Sequence, residues 1–292
     1  VYSIAQTFTG QDPLRHIPLP ESHRMGSFWR GKGFFNTTMT YSYVFGMYGS
    51  FLLTLLHQNH FEGSKWKRPM QVVCALIMLS LLLTFTRGLW IAMVVAVAAL
   101  LFLTRRDLLK RFLLALTVMV AVAFTLFPTF RSRVTSIFDQ SNYSNAGRIQ
   151  VWRANWEMIK DHPILGVGHR LNSEHLPEYY DKIGIKNGFL GHAHNNWIQV
   201  AAGSGLPSLL FYVGFTTWFL IVAYRLFKQG STPWARNIGL ASFVAQISFH
   251  IGGLTQVNFM DGEVNHSFVV VVGLCFAGLR TQKKDPLERI SK

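Results

Sequence analysis

Seven apolar runs separated by short basic loops constrain this chain more than any other feature. They fall at about 37–56, 70–86, 88–103, 112–127, 205–224, 237–257 and 267–280. A helix needs about 17 to 25 apolar residues to span roughly 30 Å of hydrocarbon. The stretch from Met70 to Leu103 is interrupted only by Arg87-Gly88. As one helix it would be ~50 Å long, so it reads as two short helices meeting at Arg87. The expected fold class is therefore all-α: a polytopic membrane protein with about seven transmembrane helices and one large helical outer loop.

Composition agrees. Half of the 292 residues are apolar and only 14% are charged, where soluble domains carry about a quarter. The net charge of +14 would suit a nucleic-acid binder, but the charges sit in short loops between apolar runs, which excludes that class. Cys74 and Cys275 both lie inside apolar runs and read as packed thiols rather than a disulfide. The chain opens on Val1 without a basic signal-peptide start, and reads as the later part of a longer protein.

Alternating the loops across a membrane tests the positive-inside rule. Loops 57–69, 104–111 and 225–236 with the tail 280–292 hold fifteen basic and four acidic residues, a net +11. Segments 1–36, the Arg87 turn, 128–204 and 258–266 hold thirteen basic and ten acidic residues, a net +3. The first set is expected in the cytoplasm, with the C-terminus, and the 128–204 segment outside. The chain accordingly divides into membrane helices with an outer lead-in (1–127), an outer loop domain (128–204), and C-terminal helices with a tail (205–292).

The outer segment carries the residues suited to chemistry. Asn145 can cap a helix over about 146–160, with Ile149, Trp152, Trp156 and Ile159 as its apolar stripe. His162-Pro163 should end it, because the residue before proline disfavours the helical basin. Arg148 would then sit in the first turn, where free N–H groups favour an anion; it is either a phosphate ligand or a solvated arginine. Arg87, at the outer end of two apolar helices, is either a snorkelling anchor or the partner of an anionic ligand. His194 starts a second helix that loosens at Gly203-Ser-Gly205-Leu-Pro207. Near a helix N-terminus its neutral form is favoured, so a general base is open beside a structural histidine. A metal ligand with His192, His169 and His175 is the weaker alternative, lacking Cys or a helical HExxH. No Gly-x-Ser-x-Gly elbow is present.

Taken together, Gly147-Arg148, Trp152, His162-Pro-Ile-Leu-Gly-Val-Gly168, His194-Asn195 and the turn at Gly205 resemble the O-antigen ligase and O-antigen polymerase superfamily. Thr84-Phe-Thr-Arg87-Gly-Leu-Trp90 is similar to that family's arginine-bearing turn, and Arg30-Gly-Lys-Gly-Phe-Phe-Asn36 to its lead-in to a membrane helix. The resemblance runs from about residue 24 to 275; Ser208 departs from the small residue often found after the turn.

The resemblance implies an inner-membrane glycosyltransferase whose active site faces the periplasm, with further helices preceding this segment. It implies a glycan on undecaprenyl diphosphate as donor and lipid A–core as the ligase acceptor, or a second lipid-linked repeat in a polymerase. The expected catalytic residues are His194, Arg87 and Arg148. Arg30, Arg153, His192 and Asn195 are expected to orient substrate, with Asp261 and Glu263 as weaker candidates. No metal and no other cofactor is expected, because arginines can stabilise a diphosphate leaving group without Mg²⁺. The basic outer loop (Arg131, Arg133, Arg148, Arg153, Arg170, Lys182 and Lys186) suits an anionic lipopolysaccharide core and tilts the expectation to ligase. A polyprenyl-glycan transporter is the alternative from another class; it would favour acidic relays inside the spans, and the runs hold none.

Overall fold

The computed structural model describes residues 1–136, 139 and 143–281. The expected tail with Lys283, Lys284, Arg289 and Lys292, and the side chain of Arg133, lie outside the described residues. The chain divides into two units, one of residues 1–112, 218–252 and 261–292, the other of 113–217 and 253–260.

The fold is mostly helical, as expected, with one correction. The N-terminal segment is not purely helical or loop: after α1 (Tyr2–Thr9) it forms two small antiparallel ribbons. These pair β1 (Gln11–Asp12) with β2 (Ile17–Pro18), and β3 (Arg24–Met25) with β4 (Phe28–Trp29). Tyr2 donates its hydroxyl to Asp12, which ties α1 to the first ribbon.

All seven apolar runs lie on helices: α2 (Thr38–His57), α3 (Lys67–Leu82), α4 (Arg87–Thr104), α5 (Arg106–Leu126), α9 (Asn196–Gln229), α10 (Pro233–Gly253) and α11 (Gly262–Arg280). Among the described residues, four of them, α4, α5, α9 and α11, are long and apolar enough to cross a membrane. The other three fall short for visible reasons. α3 has 16 residues, below what a span needs. α2 and α10 are long enough but carry buried polar groups: Thr40, Ser42, Ser50 and Thr54 on α2, and Ser242, Gln246 and Ser248 on α10.

Within the first unit, α2 packs on α3, α4 and α11. Gly46 and Gly49 make this possible, since a Cβ at either would meet Leu89 or Met78 and Ile77 at under 3 Å. Small residues at such positions let helices approach closely. Tyr41 Oη donates to Ser80 Oγ at 2.7 Å, and the hydroxyls of Ser42 and Thr86 lie 3.1 Å apart. Cys74 and Cys275 are buried free thiols, as the sequence suggests.

The second unit is built on α7 (Tyr143–Asp161), α8 (Asn172–Lys182) and the first turns of α9, with α6 (Pro128–Thr135) preceding them. Its core gathers Val151, Ala154 and Met158 of α7, Leu176, Tyr179 and Tyr180 of α8, and Ala201 and Ala202 of α9. Two expectations for α7 need correcting. It starts at Tyr143, so Asn145 lies inside it and Arg148 in the second turn rather than the first. Asn145 instead donates to the carbonyls of Ser136 and Asp139 at 2.7 and 2.9 Å. The buried face is Val151, Ala154, Met158 and Ile159 with Trp152 packed against it, so half of the expected stripe is core, whereas Ile149 and Trp156 are exposed. The helix does end at Asp161, ahead of Pro163.

Candidate active site

The second unit brings His192, His194, Arg148 and Gln256 together. Asn195 caps α9: its Oδ1 accepts from the amides of Trp197 at 2.9 Å and Ile198 at 3.1 Å, which satisfies two of the orphan donors of a helix start. His194 therefore stands just ahead of the cap. It holds φ 49°, a left-handed conformation that costs a non-glycine residue about 1–2 kcal/mol. Strain of this kind persists where the surroundings over-determine it, and it clusters at functional sites.

Three contacts fix the histidine. Its amide donates to Nδ1 of His192 at 3.2 Å, and the two rings stand edge to face with centroids 4.2 Å apart. Its Nδ1 lies 2.7 Å from Oε1 of Gln256. With the Gln256 amide in this orientation its oxygen only accepts, which puts the proton on Nδ1 and leaves Nε2 its lone pair. That tautomer is the one a general base needs. Gln256 falls within the apolar run 237–257, but α10 ends at Gly253 and the residue lies in the loop that follows.

Charge and burial act together on the pair. Burial, then the neighbouring His194, then the Arg148 charge push His192 down to about 4. Burial lowers His194 as well; the Gln256 bond opposes the shift and the Arg148 charge adds to it. Both imidazoles are therefore neutral at neutral pH, beside a cation that can bind an anion.

Behind the histidines runs a chain of buried amides that the sequence did not single out. Asn172 Nδ2 donates to Asn155 Oδ1 at 2.7 Å, and Gln199 Nε2 to Asn172 Oδ1 at 2.8 Å. Gln199 Oε1 then accepts the amide of Ala193 at 2.8 Å. Trp152 Nε1 donates to the Ala193 carbonyl at 2.6 Å. Both polar groups of the residue before His194 are thus held by side chains from the core. A second set, Asn196 to Asn258 at 2.6 Å and to Tyr212 at 3.0 Å, anchors α9 to the loop carrying Gln256.

The glycine-rich motif has a backbone reason. Val167 N donates to Ala202 O at 2.9 Å, Gly168 N to Gly203 O at 2.9 Å, and Leu206 N to Pro163 O at 2.8 Å. The 163–168 segment thus pairs with the Gly203-Ser-Gly205 break in α9. Gly205 holds φ 85° and ψ 168° at that break, and a Cβ there would collide with the Ile164 carbonyl. Gly166, at φ 66°, would place one 2.5 Å from the backbone of Gly203 and Ser204.

The remaining sequence candidates divide between the units. In the first unit, Arg30 donates from Nε to the Thr84 carbonyl at 2.9 Å and from a terminal nitrogen to Thr86 Oγ1 at 3.2 Å. It braces the turn whose next residue, Arg87, opens α4. Asp261 caps α11 and accepts from Thr40 Oγ1 at 2.6 Å, with Glu263 in the first turn. In the second unit, Arg153 is exposed on α7, away from the histidine pair's own hydrogen bonds. His169 meets Ser204 Oγ at 3.3 Å and His175 meets Glu178 at 3.5 Å, so neither joins the pair as a ligand. Among the described residues no three His, Cys, Asp or Glu side chains come together as a metal site.

Residues 72–213 match the sequence family described as O-antigen ligase. The matched stretch contains Arg87, Arg148, Arg153, His192, His194 and Asn195, and excludes Arg30 and Gln256. No curated protein matches the chain.

Proposed function

From a chain that belongs, through residues 72–213, to the O-antigen ligase and polymerase superfamily of glycosyltransferase-like membrane enzymes, we propose an O-antigen ligase. It moves a glycan from undecaprenyl diphosphate to a sugar hydroxyl of lipid A–core on the periplasmic face. The observation that carries this reading is the buried pairing of His194 with Gln256 beside Arg148.

In the proposed step, Nε2 of His194 takes the proton of the acceptor hydroxyl. The hydroxyl oxygen forms a bond to the anomeric carbon of the donor as the bond from that carbon to the diphosphate oxygen breaks. The electron pair leaves with the undecaprenyl diphosphate, and direct displacement inverts the anomeric centre. Arg148 stabilises the developing negative charge, which a preorganised guanidinium does at no reorganisation cost. Arg87 is proposed as a further anion-binding arginine. Their cationic charge supplies what a divalent metal would otherwise provide, and the reaction is proposed to run without one.

His192 lends its Nδ1 to the His194 backbone, and Asn195 fixes the helix start, so both are proposed to act by holding the base in place. The test is the lipopolysaccharide profile of a deletion strain complemented with His194→Ala. Loss of O-antigen attachment, with polymer accumulating on its lipid carrier, is expected. Core bearing a single repeat would assign the polymerase branch instead, and normal laddering from a stably inserted protein would remove the role of His194.

A further inference from the structure

A second surface on α7 is not used by this step. Ile149, Trp152, Arg153, Trp156, Glu157, Ile183 and Ile198 line an open cleft of about 430 Å³, within the range of small-ligand sites. Trp156 leaves 58% of its surface exposed, although a large aromatic is ordinarily drawn inward. Ile183 and Ile198 back the cleft and pack on the core of the unit. Glu157 is held in place by Lys160 at 2.6 Å and Lys182 at 3.6 Å. Arg153 is exposed and makes no ion pair or side-chain hydrogen bond among the described residues, so its five donors are open to a ligand.

An exposed indole face flanked by a donor and an acceptor is the chemistry that recognises a sugar ring. The C–H edges of a pyranose are apolar and pack on an aromatic face, while its hydroxyls point sideways to polar groups. A lipid tail would leave the exposed guanidinium of Arg153 without use. We propose that this cleft is a saccharide subsite in which a pyranose ring stacks on Trp156 beside Trp152, with Arg153 donating to its hydroxyls and Glu157 accepting from them. Arg148, Trp152 and Trp156 recur every four residues along α7, so the subsite lies ~12 Å along the helix from the arginine beside the base. Trp152 links the two, since its indole nitrogen bonds the carbonyl that precedes His194. The subsite deepens the transferase reading and rests on it for the identity of the saccharide.

The test measures binding by the full-length protein in detergent, offered one saccharide at a time so that no turnover occurs. The probes are lipid-free core oligosaccharide and, separately, O-polysaccharide released from its carrier. Isothermal titration gives Kd, and saturation-transfer NMR reports which ring protons touch the protein. Trp156→Ala is expected to weaken one of the two by about tenfold, the size of a lost aromatic contact. Trp156→Phe should recover part of the loss, and Arg153→Gln should weaken the same saccharide. The saccharide affected identifies the subsite as acceptor or donor.

Equal Kd for both saccharides in wild type and Trp156→Ala, or no binding of either by wild type, overturns the subsite. So does a Trp156→Ala variant that loses fluorescence quenching by brominated lipid while binding saccharide normally, because the face would then be a lipid contact. Trp156-dependent binding in a protein that transfers nothing would sink the transferase reading and leave the subsite standing. Transfer with an acceptor KM and saccharide Kd indifferent to Trp156 would do the reverse.

Discussion

Nδ1 of His194 meets Oε1 of Gln256 at 2.7 Å, across 62 positions of sequence. With the amide oxygen facing the ring, that bond selects the tautomer in which Nε2 accepts a proton. Gln256→Leu is expected to lower kcat by about 10²-fold, at the low end of what a general base contributes, with little change in KM. Gln256→Glu places a carboxylate against the same nitrogen and stabilises the imidazolium. The acid limb of the pH–rate profile should then move to higher pH. Transfer assays across pH 5 to 8 read both, and an unmoved limb in Gln256→Glu would separate His194 from the titrating group.

Arg148 acts in the opposite sense. Burial and its positive charge both hold His194 below the ordinary histidine value, so if His194 is the base, wild-type activity should persist to mildly acidic pH before it protonates. Arg148→Gln removes the cation, and the acid limb should shift upward while kcat falls through the lost anion contact. Arg148→Lys keeps the charge but not the bidentate fork, and is expected to restore the limb position without restoring full kcat.

His192 makes folding itself pH-dependent. Its folded value of about 4 lies below the unfolded value of 6.5, so the unfolded chain binds the extra proton first. Stability contributed by the neutral ring is complete above about pH 6.5 and is lost as pH falls toward 4. Thermal melts at pH 7 and 5 should differ, and His192→Gln should narrow that difference. A gap of the same size in the variant would assign the effect elsewhere.

Gly205→Ala combines a left-handed backbone with a collision at Ile164, and is expected to destabilise the protein by about 2–4 kcal/mol. Gly214→Ala is the control, since it sits on the same helix and its Cβ would meet nothing within 4 Å. It should be neutral or slightly stabilising, because alanine is favoured over glycine in helices. Thermal shift of the two variants side by side makes the comparison.

Arg30→Ala removes the two bonds that brace the turn before Arg87. A loss of about 1–3 kcal/mol is expected from leaving the Thr84 carbonyl and Thr86 hydroxyl without this donor. Arg30→Lys cannot reach both acceptors with one ammonium and should recover only part. Normal melting of Arg30→Ala would return Arg30 to a role in substrate binding alone.

The sequence by itself was enough to place helices on the seven apolar runs, because apolar runs bounded by charges, prolines and caps are local signals. Each of the seven runs lies on a helix, α7 stops ahead of Pro163, and the Gly203–Gly205 break falls where glycine allows a left-handed residue. His194 and Arg148 stood out in the sequence as candidates for chemistry in an otherwise apolar chain. What only the tertiary structure decided is who holds whom. Gln256 read as one more polar residue at the end of an apolar run, and Asn155, Asn172 and Gln199 as ordinary amides. The exposed side of Trp156 hid in a stripe that looked like core. Hydrogen bonds between residues 62 or 27 positions apart leave no periodicity in the chain. Which face of α7 is buried depends on what packs against it, so helix spacing alone could not choose Val151, Ala154 and Met158 over Ile149 and Trp156.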